Sequence, residues 1–261
     1  MTSVYDNERL AASYAFDRPP VHQRILKSAR LQGPVGRALD IGCGAGVSTA
    51  ALVPSAGQVI GLEPVSAMLA HRRSVAPSAR FAVGTAEALP FASASFDLVA
   101  AAGSLDYADL PSALAEVARV LTPDGTFLLY DYSKGRCSPT ADALATWFTS
   151  FEQRFPSPAG RRPLAVPELP LAGAGLRLLD HVDVEVSVPM TFDGYLRYVL
   201  GEVNVANAIA RGADSAEEAG DWCRRTLAEV FPAGELTVVF RGYLATLARA
   251  DPCDVSEGVW G

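Results

Sequence analysis

The chain has 261 residues, 49% of them hydrophobic and 20% charged, which is enough apolar material for one large α/β domain or two small ones. Its formal net charge of -7 disfavours nucleic acid as the main partner, because binding a phosphate backbone requires a basic surface. The N-terminal residues lack a secretory signal and no uncharged apolar run approaches the ~20 residues of a membrane span, so we expect a cytoplasmic protein without a membrane partner.

Strand and helix patterns alternate along the chain, after a predicted helix at residues 21–31. The predicted strands are residues 37–41, 58–62, 79–83, 96–102 and 126–131. The predicted helices between them are residues 47–53, 65–75, 86–89 and 110–121. Two later β patterns follow, at residues 176–189 and 236–248. This alternation indicates a mostly parallel sheet with helices on both faces.

Three segments lie outside the alternation: residues 1–34, 133–175 and 190–233. The second holds an aromatic-rich helix, and the third has a helical pattern. Each leaves or rejoins the predicted sheet at the carboxyl ends of strands, where open α/β sheets bind their ligands. We therefore predict that the three segments form a helical cap over one active site, and that residues 1–261 make a single domain.

The turn after the first predicted strand has an unusual glycine spacing. It reads Asp40-Ile41-Gly42-Cys43-Gly44-Ala45-Gly46 and runs into a predicted helix. A strand, a glycine turn and a helix bring the backbone close to a ligand. The dinucleotide fingerprint is G-x-G-x-x-G, whereas the second gap here is one residue, which disfavours a nicotinamide-dependent dehydrogenase. Asp40 would repel a phosphate and favours an ammonium or hydroxyl group.

This turn resembles motif I of the class I S-adenosylmethionine (SAM)-dependent methyltransferases, of the small-molecule, methyltransferase type 11-like group. Four later segments resemble that family in the same order: residues 59–64, 84–91, 95–99 and 116–126. The last is similar to its E-x-x-R-V-L-x-P-G-G turn. The resemblance covers about residues 35–132 and implies a doubly wound, seven-stranded, Rossmann-like sheet whose last strand, within residues 236–248, is antiparallel.

The resemblance also implies SAM as cofactor and a set of residues that bind it. Asp40 would accept a hydrogen bond from the methionine ammonium, directly or through water, and Glu63 from the ribose hydroxyls. Close approach of the backbone involves Gly42, Cys43, Gly44 and Gly46. The adenine is expected beside Pro64, Met68, Thr85, Ala86 and Glu87, although the family commonly has Asp where Thr85 stands. The methionine portion is expected along Ala101, Ala102 and Gly103, with Tyr14 closing over the cofactor.

Methyl transfer from a sulfonium is an in-line displacement, in which the enzyme aligns the acceptor and, where needed, removes its proton. It requires no metal ion, and the 4 scattered cysteines give no pattern of a metal site. No His-Asp or paired-carboxylate spacing marks a dedicated base. The candidate catalytic residues are His22, Asp106 and Tyr107. The candidate substrate-facing residues are Tyr5, Asp131, Tyr132, Tyr195, Tyr198 and Asn204.

The sequence thus predicts a metal-independent SAM methyltransferase that acts on a small molecule, with specialised metabolism as a candidate setting. Two alternatives stay open: a SAM-binding scaffold that catalyses a non-methylating step, and a non-catalytic interaction protein with the same fold. The methyl acceptor, its acceptor atom (O, N or C) and the oligomeric state are not readable from the sequence.

Overall fold

The computed structural model of the protein describes residues 4–158 and 163–250. Its strands are β1 Val35–Ile41, β2 Ala56–Glu63, β3 Arg80–Val83, β4 Phe96–Ala102, β5 Leu121–Tyr132, β6 Leu176–Thr191 and β7 Glu235–Arg249. Its α-helices are α1 Glu8–Phe16, α2 Val21–Leu26, α3 Val47–Leu52, α4 Arg72–Val75, α5 Leu110–Val120, α6 Ala143–Arg154, α7 Phe192–Leu200, α8 Val203–Ala210 and α9 Ala216–Ala228.

The seven strands form one sheet in the order β3-β2-β1-β4-β5-β7-β6. Strands β1 to β5 pair in parallel, while β7 runs antiparallel to both β5 and β6. The predicted doubly wound, mostly parallel sheet with an antiparallel last strand is therefore confirmed. The chain builds outward from β1 to β3 and then returns to place β4 on the other side of β1. The carboxyl ends of β1 and β4 form the switch point at which such sheets bind ligands.

Apolar side chains bury both faces of the sheet. In β4, Leu98 and Ala100 belong to one apolar cluster, whereas Val99 and Ala101 belong to another on the opposite face. This alternation follows from the two-residue period of a strand. The first cluster includes Tyr130 of β5 and the buried side of α2, and the second includes the apolar side of α5. Helix α2 is thereby fixed over the end of β5.

Several predicted boundaries differ from the structure. Residues 86–89 form a turn and not a helix, because the proline at position 90 disfavours helical backbone in the residue before it. Helix α1 was not predicted. Strand β5 begins at Leu121, earlier than residue 126, because Leu121 pairs with Phe96 across an irregularity in the β4–β5 register. The helix predicted at residues 21–31 ends at Leu26.

No helix within the described ranges is both long and apolar enough to cross a membrane.

Candidate active site

A cavity of about 690 Å³ opens at the carboxyl ends of β1, β2, β4 and β5. Its volume falls within the ~300–1,000 Å³ of typical small-molecule sites. All three segments predicted as a cap contribute to its wall, through Tyr14 and His22, through Lys134, and through Tyr198. The cavity therefore runs from the glycine turn of the sheet to the helices above it.

The conformation of the turn after β1 is stabilised by glycines with positive φ and by hydrogen bonds to Glu63. Gly42 has φ +68°, and a Cβ at that position would lie 2.3 Å from the Cβ of Ser104. Only glycine fits both requirements. The Glu63 carboxylate accepts hydrogen bonds from the backbone N–H groups of Gly44 at 2.9 Å and Val65 at 3.0 Å. Glu63 thus joins the ends of β1 and β2 while it lines the cavity.

The environment of Glu63 suits a hydrogen-bond acceptor. Its side chain is buried, and burial raises its pKa although the two backbone donors oppose that shift. Each carboxylate oxygen uses one lone pair on the backbone and keeps another for a ligand. An acceptor of this kind, held between a glycine turn and the next strand, can bind a pair of adjacent hydroxyl groups.

Asp40, which was expected to contact the methionine ammonium directly or through water, does not lie on the cavity wall. It is fully buried behind the turn, where one carboxylate oxygen accepts hydrogen bonds from Ser48 Oγ at 2.7 Å and Thr49 Oγ1 at 2.6 Å. Burial raises its pKa to about 6, with the two hydroxyl donors opposing the shift. Its other oxygen, Oδ1, has no hydrogen-bond partner among the described residues. Asp40 therefore connects β1 to the first turn of α3 through these two hydrogen bonds.

Most of the other predicted cofactor residues do line the cavity. They are Gly42, Cys43, Gly44, Pro64, Met68, Thr85, Ala86, Glu87, Ala102, Gly103 and Tyr14. Gly46 and Ala101 do not. Gly46 caps α3 with its backbone facing the Phe81 ring, and Ala101 is fully buried inside β4. The structure therefore brings the glycine turn, the end of β2 and the loop after β3 onto one wall.

Two predicted residues from the catalytic and substrate sets lie away from the cavity. Asp106 is 2% exposed, in a short 3-10 turn after β4. Tyr195 is fully buried, and its hydroxyl donates to the backbone oxygen of Gly135 at 2.6 Å. Direct roles for these two side chains are not supported. The remaining members line the cavity: Tyr5, His22, Tyr107, Asp131, Tyr132, Tyr198 and Asn204.

Three tyrosines surround the outer end of the cavity. The hydroxyls of Tyr5 and Tyr107 lie 3.0 Å apart, and the Tyr5 and Tyr14 rings meet edge to face at 6.3 Å between centroids. Burial raises the pKa of the Tyr5 and Tyr14 hydroxyls, so they are neutral at physiological pH. These contacts connect the N-terminal segment to the turn after β4 across the opening.

A buried ionic cluster that no sequence motif indicates lies at the cap end of the cavity. Arg18 pairs with Glu202, whose side chain is only 3% exposed, and the guanidinium lies 3.9 Å from the centre of the Tyr14 ring. Lys134 Nζ donates to Asn204 Oδ1 at 2.7 Å and lies 3.8 Å from the second Glu202 oxygen. The cluster ties the three cap segments to one another.

His22 lies between two tyrosines of β5. Its Nδ1 is 3.0 Å from the Tyr130 hydroxyl and its Nε2 is 3.1 Å from the Tyr132 hydroxyl. Tyr130 and Tyr132 share one face of the strand because strand side chains alternate with a period of two. Burial, with a smaller contribution from Arg18, lowers the pKa of His22 to about 4. His22 is therefore a neutral imidazole at physiological pH.

The comparisons with known proteins agree with this architecture. Residues 39–129 match the family model described as "Methyltransferase domain". The chain is 40% identical over 102 residues to an uncharacterized methyltransferase, YcgJ, of Bacillus subtilis, a match that covers 37% of this chain and 40% of that protein. It is 32% identical over 153 residues to the demethylmenaquinone methyltransferase of Mycobacterium marinum, covering 58% of this chain and 62% of that protein.

A solved structure from Anaeromyxobacter dehalogenans, assigned as a type II methyltransferase, has the same fold. It superposes with a TM-score of 0.67 at 22% identity, covering 88% of this chain and 96% of that one. The two curated relatives, by contrast, are matched over less than two thirds of their own lengths. The ordered motifs, the family model over residues 39–129 and the sheet topology agree: the chain has the Rossmann-like fold of methyltransferases, and its central part is similar to the class I SAM-dependent methyltransferases.

Proposed function

We propose that the protein transfers the methyl group of SAM to a small-molecule acceptor bound under the cap. The observation that carries this proposal is the position of Glu63, whose carboxylate is fixed by the glycine turn and faces a cavity that continues to the cap. One end of the cavity then suits the cofactor, and the other end is left for the acceptor.

The residues present fit SAM on structural grounds. At Gly42 and Gly44 the backbone has positive φ, and a side chain on Gly42 would collide with Ser104. The turn can thus approach a ligand closely. Glu63 would accept hydrogen bonds from the ribose hydroxyls, and Met68, which is 2% exposed, would contact the adenine. When bound, SAM supplies a methyl group activated by a positively charged sulfur.

The contribution of the chain to the reaction would be to position the acceptor and exclude water. The cap residues enclose the acceptor end, and the Arg18–Glu202 pair holds two of the cap segments together. Such positioning converts a bimolecular displacement into an effectively unimolecular one. We propose that residues 1–261 act as one domain in the cytoplasm, on small molecules and not on nucleic acid.

Incubation with methyl-labelled SAM and a panel of small O-, N- and C-nucleophiles tests the proposal. We expect labelled product together with an equal amount of S-adenosylhomocysteine. Calorimetric titration with SAM and with NAD should give binding of SAM alone. SAM binding with conversion of an acceptor but without methylated product would identify the non-methylating scaffold. No SAM binding at all would identify the interaction protein and overturn the proposal.

A further inference from the structure

Tyr130, His22 and Tyr132 form a chain of two hydrogen bonds. The burial of Tyr130 determines which atom donates in each of them. The Tyr130 side chain is fully buried, and His22 Nδ1 is its hydroxyl's only hydrogen-bond partner among the described residues. A buried hydroxyl donor without an acceptor is strongly unfavourable, whereas a spare oxygen lone pair is tolerated more easily. The Tyr130 hydroxyl must therefore donate to Nδ1.

This donation fixes the tautomer of His22. A neutral imidazole has one N–H group and one acceptor nitrogen. If Nδ1 accepts from Tyr130, the proton of His22 is on Nε2, and Nε2–H donates to the Tyr132 hydroxyl oxygen 3.1 Å away. The low pKa of His22, caused first by burial, keeps the ring in this neutral state.

Because the Tyr132 hydroxyl oxygen accepts from His22, its own O–H group is available to donate a hydrogen bond to a ligand. Within residues 4–158 and 163–250, His22 is the only hydrogen-bond partner of that hydroxyl, and Tyr132 lines the acceptor end of the cavity. Arg18 and Lys134 line the same cavity, and so does Asp131, whose carboxylate opposes their positive charge, so the preference for an oxygen atom rests on the hydroxyl proton of Tyr132. Glu202 balances part of that positive charge through its pair with Arg18.

We propose that Tyr132 is a substrate-binding donor, oriented by Tyr130 through His22, and that the methyl acceptor presents a carbonyl or carboxylate oxygen to it. His22 is then a positioning residue and not a base. This inference rests on the proposed function, because it names the class of molecule that occupies the acceptor end. It also predicts that amines without such an oxygen are poor ligands.

The tautomer of His22 can be measured without any ligand. Two-bond 1H–15N correlation spectra of the 15N-histidine-labelled protein at pH 7 distinguish the two neutral tautomers from imidazolium, and His22→Gln assigns the signal. We expect the Nε2–H form in the wild type and in Tyr132→Phe, since Tyr130 sets the tautomer. The Nδ1–H form or an imidazolium in the wild type, or a change of tautomer in Tyr132→Phe, would overturn the proposal.

The oxygen preference is tested with a matched pair of probes, benzoate and benzylamine, titrated by calorimetry into the protein saturated with S-adenosylhomocysteine. We expect benzoate to bind more tightly by about ten-fold or more, the scale of one hydrogen bond to a charged group. Tyr132→Phe should abolish most of that preference, whereas Tyr243→Phe, outside the cavity, should retain it. A preference for benzylamine, no binding of benzoate, or an unchanged ratio in Tyr132→Phe would refute the inference.

The two proposals fail in different ways. A protein that does not bind S-adenosylhomocysteine contradicts the proposed function, while its histidine spectrum still reports the tautomer. A protein that binds S-adenosylhomocysteine but has the wrong tautomer keeps the proposed function and loses the role given to Tyr132.

Discussion

Replacing Glu63 with glutamine removes the charge of the acceptor assigned to the ribose while keeping its shape. The carboxylate accepts from Gly44 N–H at 2.9 Å and from Val65 N–H at 3.0 Å. A glutamine has one acceptor oxygen, so its amide nitrogen would face one of these two donors. It would also offer a ligand one acceptor atom where the carboxylate offers two.

The loss of one hydrogen bond to a charged acceptor corresponds to about 1.5–3 kcal/mol, or roughly 10- to 150-fold in affinity for SAM. The free energy of unfolding should change less than the binding free energy, because the buried carboxylate also carries a desolvation cost that glutamine lacks. Calorimetric titration with S-adenosylhomocysteine, which has the same ribose as SAM, measures the change in binding free energy. Thermal unfolding measures the change in stability.

Glu185→Gln is the matched control, since Glu185 is exposed on β6 and pairs with Arg241 at 2.8 Å. It should bind S-adenosylhomocysteine like the wild type. A folded Glu63→Gln protein with unchanged affinity would show that Glu63 does not hold the ribose.

Three further predictions concern stability and the turn. Arg18→Met leaves the buried Glu202 carboxylate with Lys134, 3.8 Å away, as its cationic neighbour and should lower the free energy of unfolding by up to about 3–5 kcal/mol, measured by urea denaturation; a loss below 1 kcal/mol would contradict the role of this pair. Burial lowers the pKa of His22 from 6.5 in the unfolded chain to about 4 in the folded protein. The contribution of the neutral ring to stability is therefore fully present above pH 6.5 and is lost as the pH falls toward 4. Between pH 7 and 5 the free energy of unfolding of the wild type should therefore fall by about 2 kcal/mol more than that of His22→Gln. Equal decreases in the two proteins would refute the burial of a neutral His22. Gly42→Ala should lower both the melting temperature and SAM affinity, because its Cβ would meet Ser104 at 2.3 Å, whereas Gly173→Ala has no atom within 4 Å and should change neither; similar behaviour of the two variants would count against the close packing of the turn.

The core of the fold could be predicted because its signals are local. Short apolar runs bounded by turn residues predict strands, and β4 matches its predicted range of residues 96–102. Helix α1 was missed because its segment, rich in alanine and polar residues, has only a weak amphipathic pattern. The prediction of a helix at residues 86–89 was wrong because the proline at position 90 disfavours helical backbone in the residue before it.

The position of the glycine turn and of Glu63 at the cavity, the proposed cofactor end, could be predicted for the same reason, since each follows directly from the end of a strand. The acceptor end could not. His22 meets Tyr130 across 108 residues of chain, and Arg18 meets Glu202 across 184. Nothing in the sequence near Arg18 or Glu202 indicates that the two side chains pair, because only the packing of the cap on the sheet brings them together. The glycine-turn motif also did not reveal the surroundings of Asp40, whose carboxylate accepts hydrogen bonds from Ser48 and Thr49.

The most direct test of the account is a crystal structure of the protein with S-adenosylhomocysteine. The account predicts the ribose hydroxyls on the Glu63 carboxylate, the adenine beside Met68 and the loop at residues 85–87, and the sulfur pointing toward Tyr132 and the cap. A ligand bound elsewhere, or bound in this cavity with its ribose away from Glu63, would contradict it.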